Sequence, residues 1–157
     1  LNGDITLVEF IDYKCGYCKK AHGEVEKLLS TDGNIRFIIK EFPILGEDSL
    51  KMSKFALAVK IAHGDKAYKV VHDILIKMKA APSTKAFDRI INNLNLDKKL
   101  VQDAMESPEV KGIIADTRNL AEKLKISGTP TFVMKDELIR GYVPFDALIE
   151  LVANKRG

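Results

Sequence analysis

Cys15 and Cys18 are the two cysteines of this 157-residue chain. Gly16 and Tyr17 alone separate them. The apolar run Ile5–Ile11 (ITLVEFI) before them reads as a buried strand, and a helical pattern follows to about Ser30. Cys15 is therefore expected at a helix N-terminus, where unpaired N–H groups and the helix dipole favour a thiolate. Lys14, Lys19 and Lys20 add positive charge nearby. Cys18 lies one turn further in. The spacing predicts Cys15 as the exposed nucleophile and Cys18 as a buried resolving thiol, a pair suited to dithiol–disulfide exchange.

A structural zinc site is the competing reading of such a pair. It wants four ligands, and the chain has no second Cys-x-x-Cys half. Of His22, His63 and His72, only His22 is close in sequence, so a Cys15/Cys18/His22 soft-metal site is the residual metal alternative. No resident metal and no organic cofactor are expected. His63, at a helix end, and His72, on a helical face, are read as capping or surface residues. Met52, Met78, Met105 and Met134 fall on core faces and read as packing.

Three further features bear on chemistry. Gly128-Thr129-Pro130 precedes a strand, TFVM, where a proline fits because it cannot donate to a central ladder. Local sequence alone favours a trans bond, since cis occurs at only about 5–6% of X–Pro bonds. Glu9 alternates with Ile5, Leu7 and Ile11, an apolar face that should raise a carboxyl pKa. An edge-exposed glutamate or a structural pair with Lys40 is the other reading. Tyr13, Tyr17 and Phe132 are candidates to border a groove for extended peptides, or simply to pack.

The elements that must hold these residues divide the chain. A β-α-β unit ends with the strand Ile35–Phe42, and Pro43 to Gly46 closes it. Apolar residues at 3–4 spacing then predict five helices, one stopped by Gly64, one capped by Ser83, and one opened by Ser107-Pro108. TFVM, Leu138–Tyr142 and a helix over Phe145–Ala153 close the chain as β-β-α, with Lys135-Asp136-Glu137 as the hairpin turn. The domain expectation is residues 1–46 with 128–157, and a helical insertion over 47–127.

Composition narrows the class. Hydrophobic residues make up 46% and charged residues 30%, values of a globular domain. The net charge of +3 is spread along the chain, against a nucleic-acid stripe. No apolar run suits membrane insertion. The opening Leu1 and the lack of a signal-peptide pattern suggest a trimmed product.

Strand–CGYC–helix followed by Ile126-Ser127-Gly128-Thr129-Pro130-Thr131-Phe132 resembles the thioredoxin superfamily, and the helical insertion resembles its DsbA-like branch. The run Val8-Glu9-Phe10-Ile11-Asp12-Tyr13-Lys14-Cys15-Gly16-Tyr17-Cys18-Lys19-Lys20 is similar to bacterial periplasmic DsbA-like proteins of the copper-sensitivity-suppressor (ScsC) type. The resemblance implies an α/β thioredoxin fold and a cis Thr129–Pro130 bond facing the cysteines. It implies catalytic roles for Cys15, Cys18 and Pro130, and substrate contacts from Gly16, Tyr17, Thr129 and Pro130. It also gives Glu9 a part in proton transfer from the buried cysteine.

The implied activity is exchange with cysteine-containing secreted or misfolded proteins in the periplasm, the signal peptide having been removed, with a membrane redox partner. CGYC and Thr129-Pro130 are similar to the isomerase DsbC, whose relatives oligomerise through an N-terminal segment. An oligomer of the full-length protein therefore stays open, as does isomerase action by it. Copper carriage on the two thiolates is the alternative function, and a domain kept for interaction alone is a weaker one.

Overall fold

The computed structural model describes residues 3–157. Four strands and seven helices follow one another as β1 (Ile5–Ile11), α1 (Gly16–Thr31), β2 (Ile35–Glu41), α2 (Glu47–His63), α3 (Asp65–Lys77), α4 (Thr84–Asn93), α5 (Lys98–Met105), α6 (Pro108–Lys123), β3 (Thr131–Met134), β4 (Glu137–Arg140) and α7 (Phe145–Arg156). Both halves and the helical insertion come out in the expected order. The sheet order is β2-β1-β3-β4. β1 runs parallel to β2 and antiparallel to β3, which pairs antiparallel with β4.

The central place of β1 follows from its composition, because an apolar strand needs cover on both faces. On one face Ile5 and Leu7 pack with Ala21, Val25 and Leu28 of α1 and with Leu148 and Val152 of α7. On the other, Phe10 meets Ala121 of α6 and Ile126. At and beyond its C-terminal end, Ile11, Tyr13, Cys15 and Cys18 join the core of α2–α5. The insertion and the cysteine pair thus share one apolar cluster, so the helices build a wall of the site.

Local chemistry sets the helix boundaries. Ser83 Oγ accepts the Ala86 N–H at 3.1 Å and Ser107 Oγ accepts that of Val110 at 3.2 Å, each cap contributing about 1 kcal/mol. Gly64 joins α2 to α3 at φ +91°, a conformation that favours glycine. His63 Nε2 accepts the Asp97 N–H, which ties the end of α2 to the start of α5. The hairpin after β3 turns at Lys135-Asp136, so β4 begins at Glu137 and ends at Arg140, short of the expected Tyr142. Gly141 leaves the ladder at φ +95° while donating to the Pro130 carbonyl, which bends the chain off the sheet. No helix among the described residues is long and apolar enough to cross a membrane.

Candidate active site

Cys15 is the N-cap of α1, in extended backbone conformation. Its N–H is held by the Asp12 carbonyl at 3.1 Å, closing the turn out of β1. Its Sγ accepts the Cys18 N–H at 3.3 Å, so the sulfur occupies the place where a helix start offers unpaired donors. No acidic side chain lies in the first turn of α1. A negative charge on this sulfur therefore meets a donor and the positive helix end.

The sulfur also faces the carbonyl of Thr129 at 3.3 Å, with the Cys15 thiol donating. The Thr129–Pro130 bond is cis. Residues 114 positions apart are brought together here because β3 lies directly beside β1, pairing Phe10 with Thr131. That carbonyl covers part of the thiol: Cys15 is 9% exposed and Cys18 1%. The expected order of accessibility holds, but Cys15 meets solvent through a narrow window and is not openly exposed.

Burial pushes the Cys18 thiol up past its ordinary value. Hydrogen bonds from the Asp12 backbone and the Thr129 side chain oppose the shift in part. A thiol so placed is held in its neutral form. Glu9, on the face of β1 that packs against α1, is 3% exposed. Desolvation first, and then the charge of Glu26, push its carboxyl up from 4.5 to about 8, with Lys69 pulling the other way. It is neither edge-exposed nor paired with Lys40.

The sign of the resulting pH dependence is fixed. Between pH 4.5 and about 8 the unfolded chain releases the Glu9 proton while the folded chain keeps it, so stability falls as pH rises and levels off above 8. Glu41, raised to about 7, adds in the same direction. Glu9→Gln should therefore flatten the slope, its melting temperature gaining on wild type steadily from pH 4.5 to pH 8. A melting-temperature difference constant across that range contradicts the assignment.

Asp12 was not singled out by sequence, yet it organises the loops around Cys15. Its Oδ1 accepts the Lys14 N–H and the Ser49 hydroxyl, both at 2.7 Å. Its Oδ2 accepts the N–H groups of Ile44 and Leu45 at 2.8 and 3.0 Å. The carboxylate thus ties the turn before Cys15 to the loop after β2 and to α2. An acid three residues before a Cys-x-x-Cys, at a strand end, is the signal that was there to be read.

Other expectations need correction. His72 is 2% exposed and not a surface residue, because its face of α3 turns toward α1 and its Nδ1 pairs with the Tyr13 hydroxyl at 2.9 Å. Of the two readings left open for Tyr13 and Phe132, packing holds: both are fully buried and line no groove. Tyr13 donates to Glu41 at 2.7 Å, and Phe132 sits in the sheet core. Tyr17 alone of the three is free to meet a substrate, at 65% exposure. Gly16, between Tyr17 and Cys15, leaves open space where a Cβ would stand. Lys19 donates to the carbonyls of Ile76 and Met78, which fixes α1 to the end of α3. Among the described residues the three-donor grouping able to hold a metal is His22, His72 and Asp73; it contains neither cysteine. The methionines pack, Met52 and Met134 fully buried, as expected.

Comparison with known proteins agrees with this geometry. A thioredoxin-like oxidoreductase from Silicibacter pomeroyi DSS-3 superposes with a TM-score of 0.90 at 39% identity, covering 99% of this chain and 88% of that one. The thiol-disulfide exchange protein alpha-DsbA2 from Wolbachia pipientis gives 0.89 at 29% identity, over 98% and 82%. Proteus mirabilis ScsC in a transitional conformation gives 0.87 at 29%, over 98% and 68%. The curated relatives include Na(+)/H(+) antiporter NhaA 3 of Salinispora tropica, 26% identical over 92% of this chain but 22% of that protein, so the chain spans about a fifth of its length. The description DSBA-like thioredoxin domain matches residues 6–153, and the chain belongs to that family.

Proposed function

We propose that the protein catalyses thiol–disulfide exchange with cysteine-containing proteins, Cys15 being the nucleophile. The observation that carries this is the meeting, at one sulfur, of a helix N-terminal N–H and the carbonyl that precedes Pro130. The Cys15 thiolate attacks a substrate disulfide, forms a mixed disulfide and expels one substrate thiolate. Cys18 then loses its proton, attacks Cys15 Sγ and expels the second. The Cys15–Cys18 disulfide has formed and two electrons have passed to the substrate; the reverse sequence oxidises a substrate dithiol.

The Thr129 carbonyl borders the sulfur, and the Thr129 backbone with Pro130 is assigned to holding an extended substrate segment, with Gly16 and Tyr17 on the open side. Glu9, held protonated near neutral pH by burial, is assigned to give its proton to the Cys18 thiolate released when a substrate thiolate opens the Cys15–Cys18 disulfide; in the reverse direction its carboxylate form takes the Cys18 proton. Disulfide chemistry of this kind belongs to an oxidising compartment, and the periplasm is the proposed setting, with a membrane protein resetting the pair. A single copy acts as oxidase or reductase. Isomerisation, which gains from two tethered sites at roughly millimolar effective concentration, is assigned to an oligomer.

Catalytic amounts of the protein should accelerate exchange in a disulfide-bonded peptide well beyond the same concentration of glutathione thiols. Rates equal to glutathione would refute the assignment.

A further inference from the structure

His22 lies on α1 four residues beyond Cys18, and His72 and Asp73 are consecutive on α3. One ring nitrogen of each histidine and one Asp73 carboxylate oxygen all fall within 4.8 Å of one another. The two rings meet edge-on with centroids 5.7 Å apart, and both residues are more than nine-tenths buried. Among the described residues Nε2 of His22 is a buried atom without a hydrogen-bond partner, its 3.6 Å approach to Asp73 Oδ1 being too long for one. Buried nitrogens are seldom left so, and an occupant would resolve it.

The far side of the cluster is arranged as the backing of a ligand. Tyr13 and Tyr68 both donate to the Glu41 carboxylate. With its one proton given to Glu41, Tyr13 accepts from His72 Nδ1–H, so the lone pair of His72 resides on Nε2. Metal-bound imidazoles are oriented in this way through the nitrogen that does not bind.

We propose that His22, His72 and Asp73 form a binding site for one divalent cation of the zinc class, which pins α1 to α3 behind the cysteine pair. Two imidazoles and a carboxylate suit zinc, with water as fourth ligand. The Asp73 side chain is 32% exposed and gives the ion and that water an entry path. Lys69 Nζ lies 2.7 Å from both Asp73 and Glu26. Asp73 and Glu26 outweigh it by one negative charge, and Lys69 keeps Glu26 when the Asp73 oxygen turns to the metal. The cysteines take no part, so the site is independent of the exchange chemistry.

The test uses the full chain carrying Cys15→Ser and Cys18→Ser, so that sulfur cannot bind, stripped with chelator and titrated with zinc chloride. One equivalent should bind and raise the melting temperature. Cobalt(II) in its place should give visible d–d bands without a thiolate charge-transfer band. His22→Gln and Asp73→Asn, each added to this background, should weaken zinc binding by at least about tenfold. Asp73 is partly exposed, so its variant tests the site even if His22→Gln folds poorly. Absence of zinc uptake by the cysteine-free chain, or uptake unaltered by both substitutions, would overturn the proposal.

Discussion

Cys15→Ser should lower the exchange rate by at least about a thousandfold, to the uncatalysed background, the scale on which loss of a nucleophile acts. Cys18→Ser should leave the first attack intact and stop turnover after it. The asymmetry follows from placement. Cys15 has the solvent window and the Cys18 N–H on its sulfur, whereas Cys18 is closed off beneath it with its thiol pushed up by burial. Serine caps helices well, so the Cys15 variant keeps its fold and its loss is chemical. A hydroxyl at the buried Cys18 position costs about 1 kcal/mol, which thermal melting will register without unfolding the protein. Equal loss of the first attack in both variants would contradict these roles.

Asp12→Ala should destabilise the fold by about 3 kcal/mol, because a buried carboxylate is removed from four donors at once. Asp12→Asn keeps the shape and should still lose about 2 kcal/mol, since either placement of the amide turns an NH2 group against donors. The loop at Ile44–Leu45 and the N-terminal turn of α2 are anchored to the segment before Cys15 through this side chain. The exchange rate should therefore fall in the variants at temperatures where they remain folded. Urea denaturation reads the first effect and single-turnover exchange the second. A pair of variants within about 0.5 kcal/mol of wild type would show the carboxylate to be dispensable.

What the sequence made legible is local. The N-caps Ser83 and Ser107, the Pro108 start and the Gly64 break act within one helical turn, so neighbouring residues suffice to read them. Cys15-x-x-Cys18 at a strand-to-helix junction is local in the same sense. The cis bond before Pro130 was not local, and only the family resemblance pointed to it. Glu9 was readable because alternation alone places it on the apolar face of β1.

The misread residues depend on partners far along the chain. Tyr13 and His72 are 59 positions apart, and Tyr13 and Glu41 are 28 apart. No periodicity announces that these side chains converge in one buried network. His72 therefore read as a capping or surface histidine, and Tyr13 stayed open between groove and core. Phe132 stayed open between groove and core for a related reason. Its strand is four residues long, too short for alternation to say which face the core covers.

Incubation of the Cys18→Ser protein with a disulfide-bonded peptide, followed by acid quenching and mass-spectrometric mapping of the adduct, addresses Cys15 itself. The expected product is one peptide per chain, joined to Cys15, with no such adduct when Cys15→Ser is treated in the same way. A Cys18→Ser protein that captures no peptide, or a Cys15→Ser protein that captures it equally on Cys18, would contradict exchange through Cys15.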